Sequence, residues 1–426
     1  MMMQKTPKYV AAFILGIGSV SALSMGVSTV AVAADDKPKV SKNAAKPLKA
    51  AQEAMEAKNY PEALAKLKEA EGVAGLTPYD KHLLNEMYGF TYVRTSQYPE
   101  AAQALEASLN DGFMDPAEQP QRVKALAQVN YQIKNYDKAI EFGERTIKEG
   151  NADDDMYTLV SQAYYIKGDY KGALKFVDGW VDGQIKAGKT PKEQPLQLIM
   201  SSCVKLQDQA CTTKALERMV QYYPKPEYWQ NIMYTLLQSQ TTGQDKGLLN
   251  VYRLASEVDA LKRPEDYVEM AQLSIEQGSP GEAVRVLEKG QSKGVFSEQR
   301  DKDRAQRLLE SAKKQSATDQ ASLAKLEKDV AASKTGDKDV SLGLAYLSYE
   351  QYAKAIEALN RGLTKGGVRN EGEARLLLGI AQLKSGNKAE ATKAFEQVKG
   401  NATLERLASL WTLHAKQAPT QTASAK

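Results

Sequence analysis

Histidine and cysteine are nearly missing from this chain, with two of each in 426 residues. His82 and His414 leave almost no room for histidine-based acid–base chemistry or a histidine-rich metal site. Cys203 and Cys211 form a C-x7-C pair, which is neither a zinc nor a redox spacing. An excess of one charge is missing too. The 57 basic and 53 acidic side chains leave a net charge of +4. With no long basic block, nothing supports a nucleic-acid partner. Phe (7) and Trp (3) are scarce while Tyr reaches 21, so the aromatic surface carries polar tips, as at element ends and binding faces. Beyond residue 33 no stretch approaches the roughly eighteen uninterrupted apolar residues a membrane span needs. What remains is ordinary globular composition, 42% hydrophobic and 26% charged. The length suits about three domains or one long repeat array.

The first residues read as an address. Met1–Lys8 carries Lys5 and Lys8, Tyr9–Val32 is apolar and rich in small residues, and Ala31-Val32-Ala33 is an A-x-A cleavage site. This predicts a secretory signal peptide over 1–33, followed by a polar linker over 34–46 and a periplasmic mature chain. The alternative is a retained membrane anchor, although Gly16, Gly18, Ser19, Ser21, Ser24, Gly26 and Ser28 dilute the apolar core. Without a cysteine at the cleavage point, a lipoprotein is not expected. After cleavage no stable membrane insertion is expected.

A phrase then recurs: Tyr, two residues, Ala, an apolar residue and a helix. It begins at Tyr60, Tyr98, Tyr136, Tyr170 and Tyr352, with degenerate copies at Pro280 and Lys388. Its alanines, Ala63, Ala101, Ala139 and Ala173, step by 38, 38 and 34 residues, and Ala355 and Ala391 by 36. Twelve residues before each alanine stands a small residue: Ala51, Gly89, Ala127, Ser161, Ala271, Gly343 and Gly379. Four residues after it a packing position recurs, as in Leu67, Leu105, Leu287, Leu359 and Phe395. Small residues let paired helices approach, large ones fill the space around them, and each hairpin leaves a face that the next must cover. Leu or Phe at Ala101 or Ala355 would overpack this contact at a cost of ~1–3 kcal/mol.

A period of 34 to 38 residues built from helix pairs resembles the tetratricopeptide repeats, over roughly Pro47 to Val398. The resemblance implies an all-α, right-handed α-solenoid of about ten helical hairpins. An N-terminal array spans 47–296, an atypical helical repeat or joint 297–338, and further repeats with a capping helix 339–416. The capping helix places Leu404, Leu407, Trp411 and His414 on one face. A disordered tail follows over 417–426. Gly143 departs from the pattern, standing where a bulky residue belongs.

In such arrays the first helix of each hairpin usually lines a groove that binds an extended peptide or a partner helix. Carried onto this chain, the repeat phase puts Glu86, Phe90 and Arg94 on that face in the second unit. Gln128, Tyr131 and Gln132 follow in the third, Thr158, Gln162 and Tyr165 in the fourth, and Gln194 and Gln197 in the fifth. Amides and tyrosines of this kind suit hydrogen bonding to main chain and ring stacking. The set lacks the Lys and Asn run with which one branch of the family clamps a carboxylate. The bland alternative is a merely wet inner surface.

Other chemistry is thin. Gly183–Thr190 matches the phosphate-loop pattern G-x4-G-K-[ST], but no strand precedes it and Pro191 follows at once, so an inter-repeat loop is expected. A nucleotide-binding enzyme is the alternative of another class that this match supports. Asp153-Asp154-Asp155 reads as a helix N-cap and not as a calcium loop. In an oxidising compartment Cys203 and Cys211 suit a disulfide across a predicted hairpin, the alternative being two buried thiols. No catalytic residue, cofactor or metal is assigned. The expected function is a non-catalytic periplasmic scaffold that binds a protein or peptide partner, such as a cell-envelope complex. As a whole the chain is similar to periplasmic repeat proteins that accompany TonB/ExbB/ExbD systems, which implies a role in outer-membrane uptake. A second binding reading is an assembly factor for envelope or polysaccharide machinery.

Overall fold

The computed structural model describes residues 38–239, 247–400 and 402–417, and within them every regular element is a helix. The leader read over 1–33 and the tail beyond Gln417 lie outside the described residues. The chain divides between Thr212 and Thr213 into two compact units.

Unit 1 is built of consecutive helix pairs: α1 (Lys42–Glu56) with α2 (Tyr60–Glu71), α3 (Pro78–Arg94) with α4 (Tyr98–Asn110), α5 (Gln119–Gln132) with α6 (Tyr136–Lys148), and α7 (Asp154–Lys167) with α8 (Tyr170–Lys186). Then come α9 (Glu193–Lys205) and α10 (Gln209–Tyr222), the latter running across the division. The recurring tyrosines are the first residues of the second helices. Asn59, Asn135 and Asp169, one residue earlier, cap those helices by accepting from backbone N–H groups three residues on. The first helix starts at Lys42, inside the stretch read as linker. Ser41 caps it, and Ala44 and Leu48 are already buried against the unit. Asp80 is fully buried and accepts from the backbone N–H groups of both Ser41 and Thr77, each at 2.9 Å, so one carboxylate ties the starts of α1 and α3 together. Burial alone would raise its pKa; the two N–H donors reverse that and hold it below the usual range.

The small and large positions interlock as their spacing predicts. A Cβ placed on Gly89 would overlap the Leu105 side chain, sixteen residues on. The third pair is different. A Cβ on Gly143 would collide with Val160 of α7, so this glycine admits a side chain from the next hairpin. Leu105, Val123, Leu126, Phe142, Met156 and Val160 join one continuous core across successive hairpins. Each such side chain withdrawn from water contributes ~1.5–3 kcal/mol. Successive first helices also touch (α1 with α3, α5 with α7, α7 with α9), while successive second helices do not pack in this way. The first helices therefore line the inner side of the unit's curve.

Unit 2 contains α11 (Pro226–Ser239) with α12 (Leu248–Glu257), α13 (Pro264–Glu276) with α14 (Pro280–Ser292), a single α15 (Gln299–Ala331), α16 (Asp337–Ser348) with α17 (Tyr352–Lys365), α18 (Glu371–Lys384) with α19 (Lys388–Glu396), and α20 (Ala402–Gln417). The code returns here: a Cβ on Gly343 would stand 2.6 Å from Leu359 Cγ, and one on Gly379 would enter the Phe395 ring. Where an atypical repeat or joint was expected, α15 is one uninterrupted helix of 33 residues. Ala305, Leu309, Ala312, Ser316, Leu323 and Val330 form a narrow buried stripe along it, at steps of 4, 3, 4, 7 and 7. That stripe packs on one side only, against α13, α14 and α16, and with no internal small/large alternation no second helix folds back onto it. The described residues thus hold nine helix pairs and two single helices, against the expected ten or so hairpins. The closing helix α20 buries Leu404, Leu407 and Trp411, and Trp411 stacks on Phe395 at 6.0 Å between ring centres. It also reaches back to the start of the unit. Arg406 pairs with Glu217 at 3.5 Å, the Gln417 amide donates to the Val220 carbonyl, and His414 packs edge-on against Trp229.

Candidate functional site

The inner face of unit 1 is assembled by repetition. In α5 and α7 the residue next to the small packing position is a glutamine, Gln128 and Gln162, and three residues further stands a tyrosine, Tyr131 and Tyr165. In each helix the glutamine and tyrosine stand at i and i+3 and so are neighbours on the helix surface, the tyrosine, at i+4 from the small residue, lying at the edge of the packing seam. The Tyr131 hydroxyl donates to Gln162 Oε1 at 3.1 Å, linking α5 to α7 across the face. Tyr131 packs edge-on against Tyr136 at 5.8 Å, and Tyr165 repeats the arrangement with Tyr170 at 5.2 Å. Burial, and then the neighbouring Tyr136, push the Tyr131 phenol up to about 12, so it stays a neutral donor across the physiological range.

The second hairpin's share is more charged. Phe90 is half-buried beneath the Arg94 guanidinium, 5.1 Å from ring centre to cation. Glu86 forms an ion pair with Arg122, an α5 residue that sequence reasoning did not single out. Arg122 is nearly buried. Desolvation lowers its pKa, opposed by Glu86 and Glu118. Thr158 turns its hydroxyl to the Asp154 carbonyl at 2.8 Å, and Gln197 donates to Glu193 at 3.4 Å. Gln132 and Gln194 are exposed. Glu86, Phe90, Gln128, Tyr131, Gln162, Tyr165 and Gln197 are half-buried, a mixture of hydrogen-bonding groups and ring edges accessible along one side of a curved array. The tyrosines at the start of α6 and α8 were legible only as packing landmarks; their second role, as walls for Tyr131 and Tyr165, needs the three-dimensional arrangement.

The remaining residues of chemical interest find structural places. Gly183 lies within α8, and Gly188 follows the helix end at φ +73°. The phosphate-loop match is therefore the tail of a helix and its left-handed turn, with no strand before it. Asp153 is the N-cap of α7, accepting from the Met156 N–H at 3.0 Å and pairing with Lys124 at 2.6 Å. Cys203 and Cys211 are joined by a disulfide, with Cα atoms 5.4 Å apart. His82 has an acid partner outside its own helix: both Asp111 oxygens lie 3.0 Å from its Nδ1. The ring is buried between Tyr79 and Phe113, which marks the pair as a clasp between α3 and the end of α4. His414 lies 3.5 Å from Glu257. Among the described residues no group of three or more His, Cys, Asp or Glu side chains is placed to hold a metal ion. No described helix is long and apolar enough to cross a membrane.

The tetratricopeptide-repeat family pattern matches residues 89–154 and 340–403, one stretch in each unit. No curated relative matches. Among solved structures, a tetratricopeptide repeat protein from Parabacteroides merdae is similar at 10% identity, covering 78% of this chain and 98% of that one, with a TM-score of 0.27. Pseudomonas aeruginosa pilF is similar at 15% identity, covering 46% and 98%, with a TM-score of 0.24. The TPR2AB domain of yeast Sti1, solved in complex with pHSP90, shares 17% identity, covering 71% and 100%, with a TM-score of 0.21. Scores this low leave the matched repeats and the observed packing to carry the assignment. On those two grounds both units contain tetratricopeptide-type repeats.

Proposed function

We propose that the protein is a non-catalytic periplasmic scaffold that holds a protein or peptide partner along the inner face of unit 1. The observation that carries this reading is the repeated glutamine–tyrosine pair on α5 and α7, joined through the Tyr131–Gln162 hydrogen bond. It presents amides and neutral hydroxyls at the repeat spacing, a surface suited to main-chain groups of an extended or helical segment. Few charges interrupt it, so the partner is recognised by shape and hydrogen bonding more than by net charge. The leader read over 1–33 and the Cys203–Cys211 disulfide support an oxidising, exported location. The similarity of the whole sequence plan to repeat proteins that accompany TonB/ExbB/ExbD systems extends the proposal to outer-membrane uptake. Affinity capture from cell-envelope extracts tests it: the wild-type chain retains a discrete partner, and Tyr131→Ala combined with Tyr165→Ala loses it. Retention by the double variant would remove this face as the docking surface.

A further inference from the structure

In unit 2 the matching face is not open. The repeat register places Leu376, Ile380 and Lys384 of α18 where unit 1 has Glu86, Phe90 and Arg94 of α3, counting from Gly379 and Gly89 respectively. In α3 these positions are half-buried or exposed; in α18 Leu376 and Ile380 are buried. The neighbouring helices α16 and α20 pack on α18, and α12 reaches the same helix through its polar side chains. The Asn250 amide donates to Glu373 Oε1 at 2.9 Å in the first turn of α18, and Glu257 forms an ion pair with Lys384 in its last turn. The start and end of α12 thus reach the start and end of α18 through side chains, so the two helices run in the same direction. These partners stand 123 and 127 residues apart, far beyond the neighbouring hairpins that cover a helix in a regular array.

The sequence of α12 fits this placement. Asn250, Arg253 and Glu257 fall at i, i+3 and i+7, one polar seam on an otherwise apolar helix. On an exposed helix that seam would face water, yet Asn250 is 0% and Arg253 6% exposed. Each seam residue is satisfied by another element. Arg253 grips Glu282 of α14 through two nitrogens and donates to Asn250 at 2.7 Å; Glu257 receives Lys384 and faces His414 of α20. A buried polar network of this kind fixes one arrangement and leaves a large penalty if a single partner is removed. The seam is also the part of the contact that can separate without dismantling the small/large packing of α18 on α19.

We propose that α12 is an intramolecular occupant of the α18 groove face, so that unit 2 is a self-closed array whose inner surface becomes available only when the Asn250–Arg253–Glu257 seam lets go. An external occupant would then be a short apolar helix carrying an amide, a guanidinium and a carboxylate at i, i+3 and i+7. This stands independently of the partner proposed for unit 1.

Hydrogen exchange on the full chain reads the closure directly. In Glu257→Gln, and separately in Lys384→Met on the opposite side of the seam, amides of α12 and α18 are expected to lose protection together by at least about tenfold, while α16, α17 and unit 1 keep theirs. A synthetic peptide of residues 247–258 is expected to bind these variants and not the wild-type chain. Unchanged protection in both variants, a uniform loss across unit 2, or failure of the peptide to bind the opened variants would each overturn the proposal.

Discussion

Gly343 and Leu359 interlock, the leucine of α17 occupying the space that a side chain on the α16 glycine would need; a Cβ there would stand 2.6 Å from Leu359 Cγ. The same sixteen-residue pairing joins Gly89 to Leu105 and Gly379 to Phe395. It is the elementary contact from which each hairpin is made.

Filling that space should therefore be costly, and the cost should depend on the partner. Gly343→Leu is expected to destabilise unit 2 by ~1–3 kcal/mol. Leu359→Ala alone should lose ~2–5 kcal/mol through the cavity it leaves. Because the two changes share one volume, the double variant should be less destabilised than their sum, by ~0.5–3 kcal/mol. Denaturant titration of the four proteins measures the coupling, and strict additivity would show that the residues do not interlock.

The disulfide closes a short loop between α9 and α10, so its stabilisation should fall near the low end of the usual range, about 2 kcal/mol. Cys203→Ala combined with Cys211→Ser should lower the stability of unit 1 by that amount, and a reductant should then have no further effect. A reductant that still destabilises the double variant would locate the redox sensitivity elsewhere.

Glu257 gives unit 2 an acid limb. Burial works to raise its pKa, but the His414 hydrogen bond and the Lys384 ammonium outweigh that and hold it at about 2, against an ordinary 4.5. A carboxyl depressed on folding contributes stability that is complete above its unfolded pKa and is lost as pH falls through the folded one. Unit 2 should therefore weaken between about pH 4.5 and pH 2, by on the order of 3 kcal/mol for this group. Glu257→Gln should flatten that part of the profile in urea titrations. An unaltered acid limb in the variant would assign the slope to other carboxylates.

Nucleotide should not bind. Gly183 belongs to a helix end and no strand leads into it, so the backbone cradle that holds phosphate is not built. Calorimetry with millimolar ATP should give no binding heat. A saturable isotherm would contradict the assignment of Gly183–Thr190 as an inter-helix turn.

Much of the fold is legible in the sequence because its packing rule is local. Tyr98 and Ala101, or Gly379 and Phe395, lie within one or two helices of each other, and their spacing alone states the geometry. The Gly143 departure has its reason one hairpin further on, in Val160, where no fixed interval points. The long α15 was less legible: a polar helix with a narrow heptad stripe looks from composition like a loosened repeat. Least visible was the seam of α12. Asn250, Arg253 and Glu257 read as an ordinary solvated face, and only contacts over more than a hundred residues reveal what covers them. For the candidate site, helix phase singled out Gln128, Tyr131, Gln162 and Tyr165 as candidates. It could not show that Tyr131 spends its hydroxyl on Gln162, or that Arg122 lies against Glu86, because both are links between hairpins.

The most direct test of the partner-docking face is site-specific photo-crosslinking in cell-envelope extracts. A photoreactive residue at Gln128 or Tyr165, on the first helices of unit 1, should capture the partner, and one at Lys138 or Lys171, on the second helices, should not. Each loss of an anchoring tyrosine should weaken that capture by ~2 kcal/mol or more. Capture only from Lys138 or Lys171 would contradict the account and move the docking surface to the outer side of the array.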